Sequence, residues 1–185
     1  TLLLTQKLET IGEMSCNPSF GGIAKGTLIR EIDALDGICA RACDASGIHF
    51  RVLNATRGPA VHGPRAQIDR KLYKQFIQQS LHGYENLKVM QGHIFDLLFD
   101  SACKRVLGVK LDDGRELKAQ SVVIATGTFL GGEIHIGLET RAAGRIGESA
   151  SVGLSHSLKQ VAKLQLGRMR TGTPPRLFAK SINFK

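Results

Sequence analysis

The tripeptide Asp112-Asp113-Gly114 constrains the fold of this chain more than any other feature, because it joins two apolar runs. Asp-Gly between strand-like segments favours the tight turn of a β-hairpin. The flanking runs, Val106 to Leu111 and Glu116 to Leu117, are therefore expected to pair antiparallel, with Ile94 to Phe99 as a preceding strand. The sequence predicts an antiparallel β-meander in this part of the chain.

Elements of another kind flank the predicted meander. The short apolar runs Leu2 to Leu4 and Val122 to Ala125 are typical of buried strands in a parallel sheet. A helix is predicted from Thr27, as its N-cap, to Gly47 at its end, because apolar residues recur at intervals of three and four. A second helix is predicted from about Arg65 to His82. This order indicates the α/β class: an incomplete Rossmann-like, nucleotide-binding domain with an antiparallel β insertion.

The stretches between these elements are rich in Gly, Pro and Asn. Ser15 to Gly26 and Asn54 to Pro64 are predicted to be loops, and Ile48 to Leu53 could form a strand. The Gly-rich stretch from Gly131 to Gly153 is either a plain connector or a loop built for close approach to a ligand. Glycine content does not decide between the two.

Charge adds a second constraint. The 185 residues carry 25 Lys and Arg against 16 Asp and Glu, a formal net charge of +9. Basic residues are concentrated in two stretches, Arg51 to Lys74 and Ser151 to Lys185. Each is either solvated surface or a binding surface for a polyanion. No apolar run approaches the roughly 20 residues of a membrane-spanning helix, so no membrane span is predicted.

The cysteines predict neither a zinc site nor a disulfide framework, because they form no Cys-x-x-Cys pair, and a reducing compartment is expected. Cys39 and Cys43, four residues apart, are predicted to be core residues on one helix face. Cys16 lies beside Asn17-Pro18 and ahead of Gly21-Gly22. If a helix begins there, its oriented N–H groups would favour a thiolate nucleophile, although a lone cysteine in a loop is more often inert.

A set of longer strings carries a family resemblance. In chain order they are Met14-Ser15-Cys16-Asn17-Pro18, Gly21-Gly22-Ile23, Glu31-Ile32-Asp33-Ala34-Leu35, Arg57-Gly58-Pro59-Ala60-Val61, Arg65-Ala66-Gln67, Gly127-Thr128-Phe129-Leu130, Ile134-His135-Ile136-Gly137-Leu138 and Arg170-Thr171-Gly172-Thr173-Pro174-Pro175-Arg176. They resemble the tRNA uridine 5-carboxymethylaminomethyl modification enzymes, the MnmG or GidA family. The resemblance spans nearly the whole chain in unbroken order.

The resemblance implies a flavoprotein that acts with a partner GTPase of the MnmE type. Such enzymes install a carboxymethylaminomethyl-type or taurinomethyl-type group on the wobble uridine of tRNA. FAD, reduced by NADH, supplies the hydride, and methylenetetrahydrofolate supplies the one-carbon unit. A homodimer of the full-length protein is also implied. The string Gly63 to Lys74 is closer to the mitochondrial branch than to bacterial members, so a mitochondrial location is expected, with the bacterial cytoplasm as the alternative.

The same resemblance implies that residues 1–185 are one part of an FAD-binding domain. The first strand and its G-x-G-x-x-G loop are expected upstream, and the NADH-binding insertion and C-terminal helical domain downstream, so the fragment alone is expected to be inactive. Ala24 stands where the family has glycine, which would strain the loop if that position needs a positive φ. Thr27 stands where the family has histidine, which removes a possible base or flavin contact.

Individual residues match functional positions of the family. Cys16 matches a catalytic cysteine that adds to the uracil ring and makes C5 nucleophilic. Ile94 and Ser151 match positions that contact FAD, and Thr126-Gly127-Thr128 match the turn at the flavin. The cations expected to contact tRNA are Arg145, Arg168, Arg170 and Arg176. No residue is assigned to a metal.

Two other functions remain open. One is a folate- and FAD-dependent tRNA uridine methyltransferase of the TrmFO type, which shares the flavin fold. The Cys16 loop and the Arg65-Ala66-Gln67 string favour the MnmG type over it. The other is a truncated, non-catalytic remnant that binds RNA or a partner without flavin, and an upstream G-x-G-x-x-G would argue against that.

Overall fold

The structure, a computed structural model, describes residues 1–172 and 177–184. The chain forms two compact units. Unit 1 comprises Thr1–Glu9 and Asn86–Met169, and unit 2 comprises Thr10–Glu85 and Arg170–Lys185. Among the described residues, unit 1 contains three sheets and one α-helix, and unit 2 contains one sheet and three α-helices.

Four helices and ten strands are described. The helices are α1 (Ile23–Ala34), α2 (Ile38–Ser46), α3 (Arg70–His82) and α4 (Val152–Gln160). The strands are β1 (Leu2–Thr5), β2 (Ser19–Gly21), β3 (Gly47–Leu53), β4 (Gly63–Ile68), β5 (Lys88–Gln91), β6 (Ile94–Phe99), β7 (Val106–Leu111), β8 (Glu116–Lys118), β9 (Glu133–Ile136) and β10 (Glu139–Ala142). None of these helices combines the length and the apolar character that a membrane crossing requires.

The antiparallel meander predicted in unit 1 is confirmed. Strands β6, β7 and β8 are neighbours in that order, with Leu98 opposite Gly108 and Lys110 opposite Glu116. The turn between β7 and β8 contains Gly114 at φ 87°, a conformation that favours glycine. Strand β1 pairs in parallel with β5, a strand that the sequence did not reveal. Parallel and antiparallel pairs together with helices confirm the α/β class.

Helix α4 covers the meander and closes the core of unit 1. Leu154 and Leu158, four residues apart on α4, pack against Leu97 and Val109 of the sheet. The Ser157 hydroxyl donates to the Asp96 carboxylate at 2.8 Å. A Cβ at position 153 would lie 2.5 Å from the carbonyl oxygen of Phe95, so Gly153 allows the close approach of α4 to β6.

Unit 2 is built on an antiparallel sheet in the order β2-β4-β3. Cys43, Ala66 and Ile68 form its buried core, against which Cys39 and Tyr73 pack. The prediction that Cys39 and Cys43 are core residues of one helix is therefore confirmed. Their mutual hydrogen bond, together with burial, raises the pKa of Cys43 above its usual range.

The single helix predicted from Thr27 to Gly47 is wrong. Two helices occupy this stretch, and the first begins at Ile23, inside the predicted loop, which also contains β2. The helical conformation is interrupted between them, because Asp36 adopts φ 61° and the Gly37 N–H donates to the Ile32 carbonyl at 2.8 Å. Apolar residues keep helical spacing across the break, so periodicity could not reveal it. Gly47 does end α2, and β3 follows as predicted.

The second predicted helix starts later than expected. Residues from Arg65 to Ile68 belong to β4, and α3 begins at Arg70. Asp69 caps it, because its carboxylate accepts from the backbone N–H groups of Lys71 at 2.8 Å and Leu72 at 3.0 Å. Gly83 follows the end of α3, as predicted.

The predicted buried strand from Val122 to Ala125 is also wrong. This stretch pairs with no strand in the described ranges, and Val123 is 90% exposed. An apolar run becomes a strand only where a neighbour accepts its backbone hydrogen bonds. The Gly-rich stretch from Gly131 to Gly153 was expected to be a connector or a loop. Part of it instead forms a hairpin of β9 and β10, whose turn places Gly137 at φ 62°.

Candidate functional site

Cys16 lies exposed in unit 2, at the end of a loop that leads into β2. Its thiol donates to the carbonyl oxygen of Gly172 at 3.6 Å. Its own carbonyl oxygen accepts a short hydrogen bond from the Arg70 guanidinium. Backbone and side chain are thus both held while Cys16 remains an exposed residue.

Strand β4 holds the residues that follow Cys16. The Gln67 side-chain amide donates to the Asn17 side-chain oxygen at 3.4 Å. The backbone N–H of Ile68 donates to the Pro18 carbonyl at 2.8 Å. The loop is therefore fixed to the middle of the sheet of unit 2.

The Gly21-Gly22 pair turns the chain from β2 into α1. Their φ angles are 105° and 98°, and the Gly22 N–H donates to the Pro64 carbonyl at 3.0 Å. A Cβ on Gly21 would lie 1.9 Å from that carbonyl oxygen, so only glycine fits there. Cys16 thus lies ahead of the N-terminus of α1, as predicted, with β2 between them.

The two departures from the family pattern both lie on α1. Ala24 is exposed and does not adopt a positive φ, so the expected strain does not arise. The Thr27 hydroxyl donates to the Ile23 carbonyl at 2.9 Å, one turn back along the helix. The Thr27 side chain is thus used within its own helix.

In unit 1, the turn Thr126-Gly127-Thr128 meets the start of α4. Gly127 is exposed at φ 55°, and a Cβ there would meet nothing within 4 Å. The N–H of Ser151 donates to the Phe129 carbonyl at 2.8 Å, and the Ser151 carbonyl accepts from Gly131 at 3.0 Å. The structure thereby brings this turn and Ser151, two of the predicted cofactor contacts, together.

Ile94, the third predicted contact, is the first residue of β6 and is half-buried. It packs against the core of unit 1, as Leu130 does at the end of the turn. All the predicted cofactor residues therefore lie in this unit.

The residues around the turn fit the phosphate or ring edge of a nucleotide cofactor. The N–H groups of the first turn of a helix have no intrahelical partners and favour anions. The α4 N-terminus presents such groups beside Ser151, which makes no side-chain cap bond. The open, positive-φ glycine beside it leaves the backbone accessible.

The predicted RNA-binding cations differ in their surroundings. Arg145 is mostly buried, forms an ion pair with Glu148 at 2.9 Å and lies over the Phe129 ring at 5.1 Å. Arg168 is exposed, donates to the Gly131 carbonyl at 3.0 Å and lies 3.4 Å from the Glu133 carboxylate.

The other two predicted RNA-binding cations are Arg170 and Arg176. Arg170 is exposed and forms no ion pair within the described part of the chain. Arg176 lies outside the described residues. Arg170 is therefore the described member of the set whose charge is least offset.

Sequence reasoning missed a histidine–carboxylate pair beside Ile94. His93 Nδ1 forms a short bond with the Asp112 carboxylate, and the Asp112 N–H donates to the His93 carbonyl at 3.0 Å. The His93 Nε2 atom is buried and has no partner among the described residues. The pair joins residues 19 positions apart, so no local signal could have shown it.

Unit 1 also contains a cleft of about 550 Å³ beside α4. Its lining includes Ser155, His156, Lys159, Glu133 and Arg168. Among the described residues, no group of three or more His, Cys, Asp and Glu side chains could hold a metal ion.

Comparison with known proteins gives a consistent result. The model of the family "Glucose inhibited division protein A" matches residues 1–185. The chain is 54% identical over 190 residues to the mitochondrial 5-taurinomethyluridine tRNA synthase subunit MTO1 of Mus musculus, covering 100% of this chain and 28% of that protein. It is 53% identical over 183 residues to the tRNA uridine 5-carboxymethylaminomethyl modification enzyme MnmG of Granulibacter bethesdensis, covering 98% of this chain and 29% of that protein.

Solved structures agree with this match. GidA of Aquifex aeolicus superposes with a TM-score of 0.78 at 43% identity, over 86% of this chain and 26% of that chain. A GidA-related protein of Thermus thermophilus gives a TM-score of 0.51 at 20% identity, over 86% of this chain and 56% of that chain, which shows a shared fold alone. The chain spans little more than a quarter of the length of the curated relatives above.

Proposed function

Because the chain belongs to the glucose inhibited division protein A family, we propose that it is part of an FAD-dependent enzyme that modifies the wobble uridine of tRNA. The relatives named for tRNA uridine modification, MTO1 and MnmG, support this substrate. The observation that carries the proposal is the exposed Cys16 thiol, held by Arg70 and Gly172 in a loop fixed to β4.

Cys16 acts as the nucleophile. Its thiolate adds to C6 of the uracil ring, forming an S–C bond, and the electron pair of the C5–C6 double bond moves to C5 and the adjacent carbonyl. C5 then attacks the methylene carbon of methylenetetrahydrofolate, forming a C–C bond as one of the two C–N bonds of that carbon breaks. An amine such as glycine or taurine later displaces the remaining folate nitrogen, and tetrahydrofolate leaves. Loss of the C5 proton restores the double bond and expels the Cys16 sulfur. The hydrogen bond from Arg70 to the Cys16 carbonyl keeps the backbone that carries the sulfur in place during both steps.

The cofactor is held by Ile94, by the turn Thr126-Gly127-Thr128 and by Ser151 at the start of α4. When bound, FAD reduced by NADH would supply hydride-transfer chemistry at this site. The turn and the first N–H groups of α4 bind and orient the cofactor.

The remaining features of the proposal follow from the family resemblance of the sequence. The tRNA is contacted by Arg145, Arg168, Arg170 and Arg176. The partner is a GTPase of the MnmE type. The full-length protein is a homodimer. Residues 1–185 are a portion of the FAD-binding domain. The location is mitochondrial, as for the Mus musculus relative, with the bacterial cytoplasm as the alternative.

A flavin spectrum together with a cysteine variant tests this function. We expect the purified full-length protein to show the visible absorbance of oxidised flavin and to bleach with NADH. Cys16→Ser should abolish tRNA modification while flavin stays bound. Cys103→Ser, which changes another exposed cysteine, should keep both.

Two results would contradict the proposal. One is a colourless protein that FAD does not reconstitute. The other is a Cys16→Ser variant that still modifies tRNA. Loss of flavin together with activity in Cys16→Ser would assign this residue a structural role instead.

A further inference from the structure

Two arginines stand directly opposite each other in the sheet of unit 2. Arg51 of β3 is the register partner of Arg65 of β4. Residues opposite each other in an antiparallel pair have Cβ atoms about 4.5–5.5 Å apart and share one face, and like charges there destabilise the pair. This arrangement therefore costs the free protein stability.

Among the described residues, no carboxylate forms an ion pair with either arginine. Strands β2, β3 and β4 contain no acidic residue. The Arg65 side chain donates to the Ser19 hydroxyl at 3.2 Å, and Arg51 is exposed. The side-chain hydrogen bond that this pair makes is therefore to a neutral hydroxyl.

The face that carries this pair is not the core face. Alternate residues of β4, Ala66 and Ile68, point to the other side, where they pack with Cys43 of α2 and Tyr73 of α3. The polar side carries His49 and Gln67 next to the two arginines. Its side chains are thus either basic or neutral.

The same face adjoins the Cys16 loop. Gln67 follows Arg65 by two positions, so it lies on the same side of β4. Its amide binds the side chain of Asn17, the residue after Cys16. An anion held by the two arginines would therefore lie on the face of β4 whose Gln67 contacts the residue after Cys16.

We propose that Arg51 and Arg65 form a clamp for one phosphodiester group of the RNA substrate, which positions the target nucleotide at Cys16. Guanidinium groups bind phosphate oxygens in pairs, and a bound anion would remove the repulsion between them. RNA is the source of the phosphate, because the clamp shares unit 2 with Cys16, whereas the cofactor contacts lie in unit 1. This assignment rests on the proposed function.

Glutamine variants test the clamp in the full-length protein. Affinity for tRNA is measured at several salt concentrations for the wild type, Arg51→Gln, Arg65→Gln and the double variant. The control is Arg30→Gln, which removes one charge from an exposed position on α1. We expect each clamp variant to weaken binding about tenfold and the double variant little more, because both arginines hold one phosphate. In the clamp variants, the plot of log affinity against log salt concentration should become less steep by about 1.

A second readout separates the clamp from the proposed function. Inorganic phosphate should raise the melting temperature of the wild type and of Arg30→Gln more than that of Arg51→Gln. Arg51 is exposed, so its loss does not threaten the fold, and Arg51→Lys should recover only part of the tRNA affinity because lysine lacks the paired donors. Flavin content is recorded for every variant.

The outcomes are distinct. Clamp variants that match Arg30→Gln in tRNA binding and in the phosphate effect overturn the clamp while leaving the proposed function intact. A phosphate effect without any tRNA binding by the wild type keeps the anion site but overturns RNA as its source, together with the proposed function. Loss of flavin in Arg51→Gln overturns the assignment to RNA, because the phosphate would then belong to the cofactor.

Discussion

At the scale of single residues, Tyr73 makes the stability of unit 2 depend on pH. Its ring lies 5.3 Å from that of Phe20, centroid to centroid. Burial, with smaller contributions from Cys39 and Cys43, raises the pKa of Tyr73 to about 12. In the unfolded chain a tyrosine has a pKa of about 10. The unfolded state therefore loses this proton first as the pH rises.

This difference has a defined sign. The contribution of Tyr73 to stability is complete below about pH 10 and is lost as the pH rises towards 12. In Tyr73→Phe, the free energy of unfolding should fall less steeply over this range than in the wild type, as measured by urea denaturation at a series of pH values. Tyr84→Phe, at a half-exposed tyrosine, should keep the wild-type slope. Parallel profiles for wild type and Tyr73→Phe would show that the phenol is not shielded.

The residues of the candidate site were predictable to different degrees. Cys16 was identifiable because its neighbours form a recognisable string. The opposition of Arg51 and Arg65 was not, although both lie in a stretch noted as basic. Cross-strand neighbours depend on register, and register is decided by backbone pairing between distant segments.

At the scale of the elements, α3 shows how a cap sets a boundary. Asp69 accepts from two N–H groups of the first turn, so the helix begins after it even though apolar spacing starts earlier. The stretch before Asp69 pairs with both β2 and β3, and these inter-strand backbone hydrogen bonds hold it as a strand.

Removal of this cap should weaken unit 2. Asp69→Ala leaves two N–H groups without their acceptor, and we expect a loss of about 1 kcal/mol in the free energy of unfolding, within a range of roughly 0.5–2 kcal/mol. Urea denaturation followed by circular dichroism measures this loss. Asp69→Asn, which keeps a capping oxygen, should lose much less. Equal losses in both variants would mean that the carboxylate acts in some way other than capping.

The helices α1 and α2 illustrate the opposite case. Helical spacing of apolar residues continues through the break, yet Leu35 is 85% exposed and Asp36 adopts a left-handed conformation. Here periodicity predicted helix correctly for most residues and failed at the break, because a break depends on backbone conformation rather than on hydrophobic pattern.

At the scale of the whole molecule, the net charge of +9 favours a polyanionic partner, but only cations whose charge is not offset contribute fully. Arg168 is close to Glu133, whereas Arg170 has no described ion pair. Arg170→Gln should therefore weaken tRNA binding and make the dependence of log affinity on log salt concentration less steep by about 1. Both effects should be smaller for Arg168→Gln. Each variant is the charge-matched control of the other. Identical slopes would show that local ion pairing does not govern the contact.

Features whose signals are local could be predicted from the amino-acid sequence. The meander β6–β8, the turn at Gly114 and the end of α3 at Gly83 all follow from a few neighbouring residues. Three other features became visible in the folded chain: Val122 to Ala125 is unpaired within the described ranges, His93 meets Asp112, and Arg51 is opposite Arg65. Each of these depends on which distant segments share backbone hydrogen bonds, and that choice is made by the packing of the whole unit rather than by any single stretch.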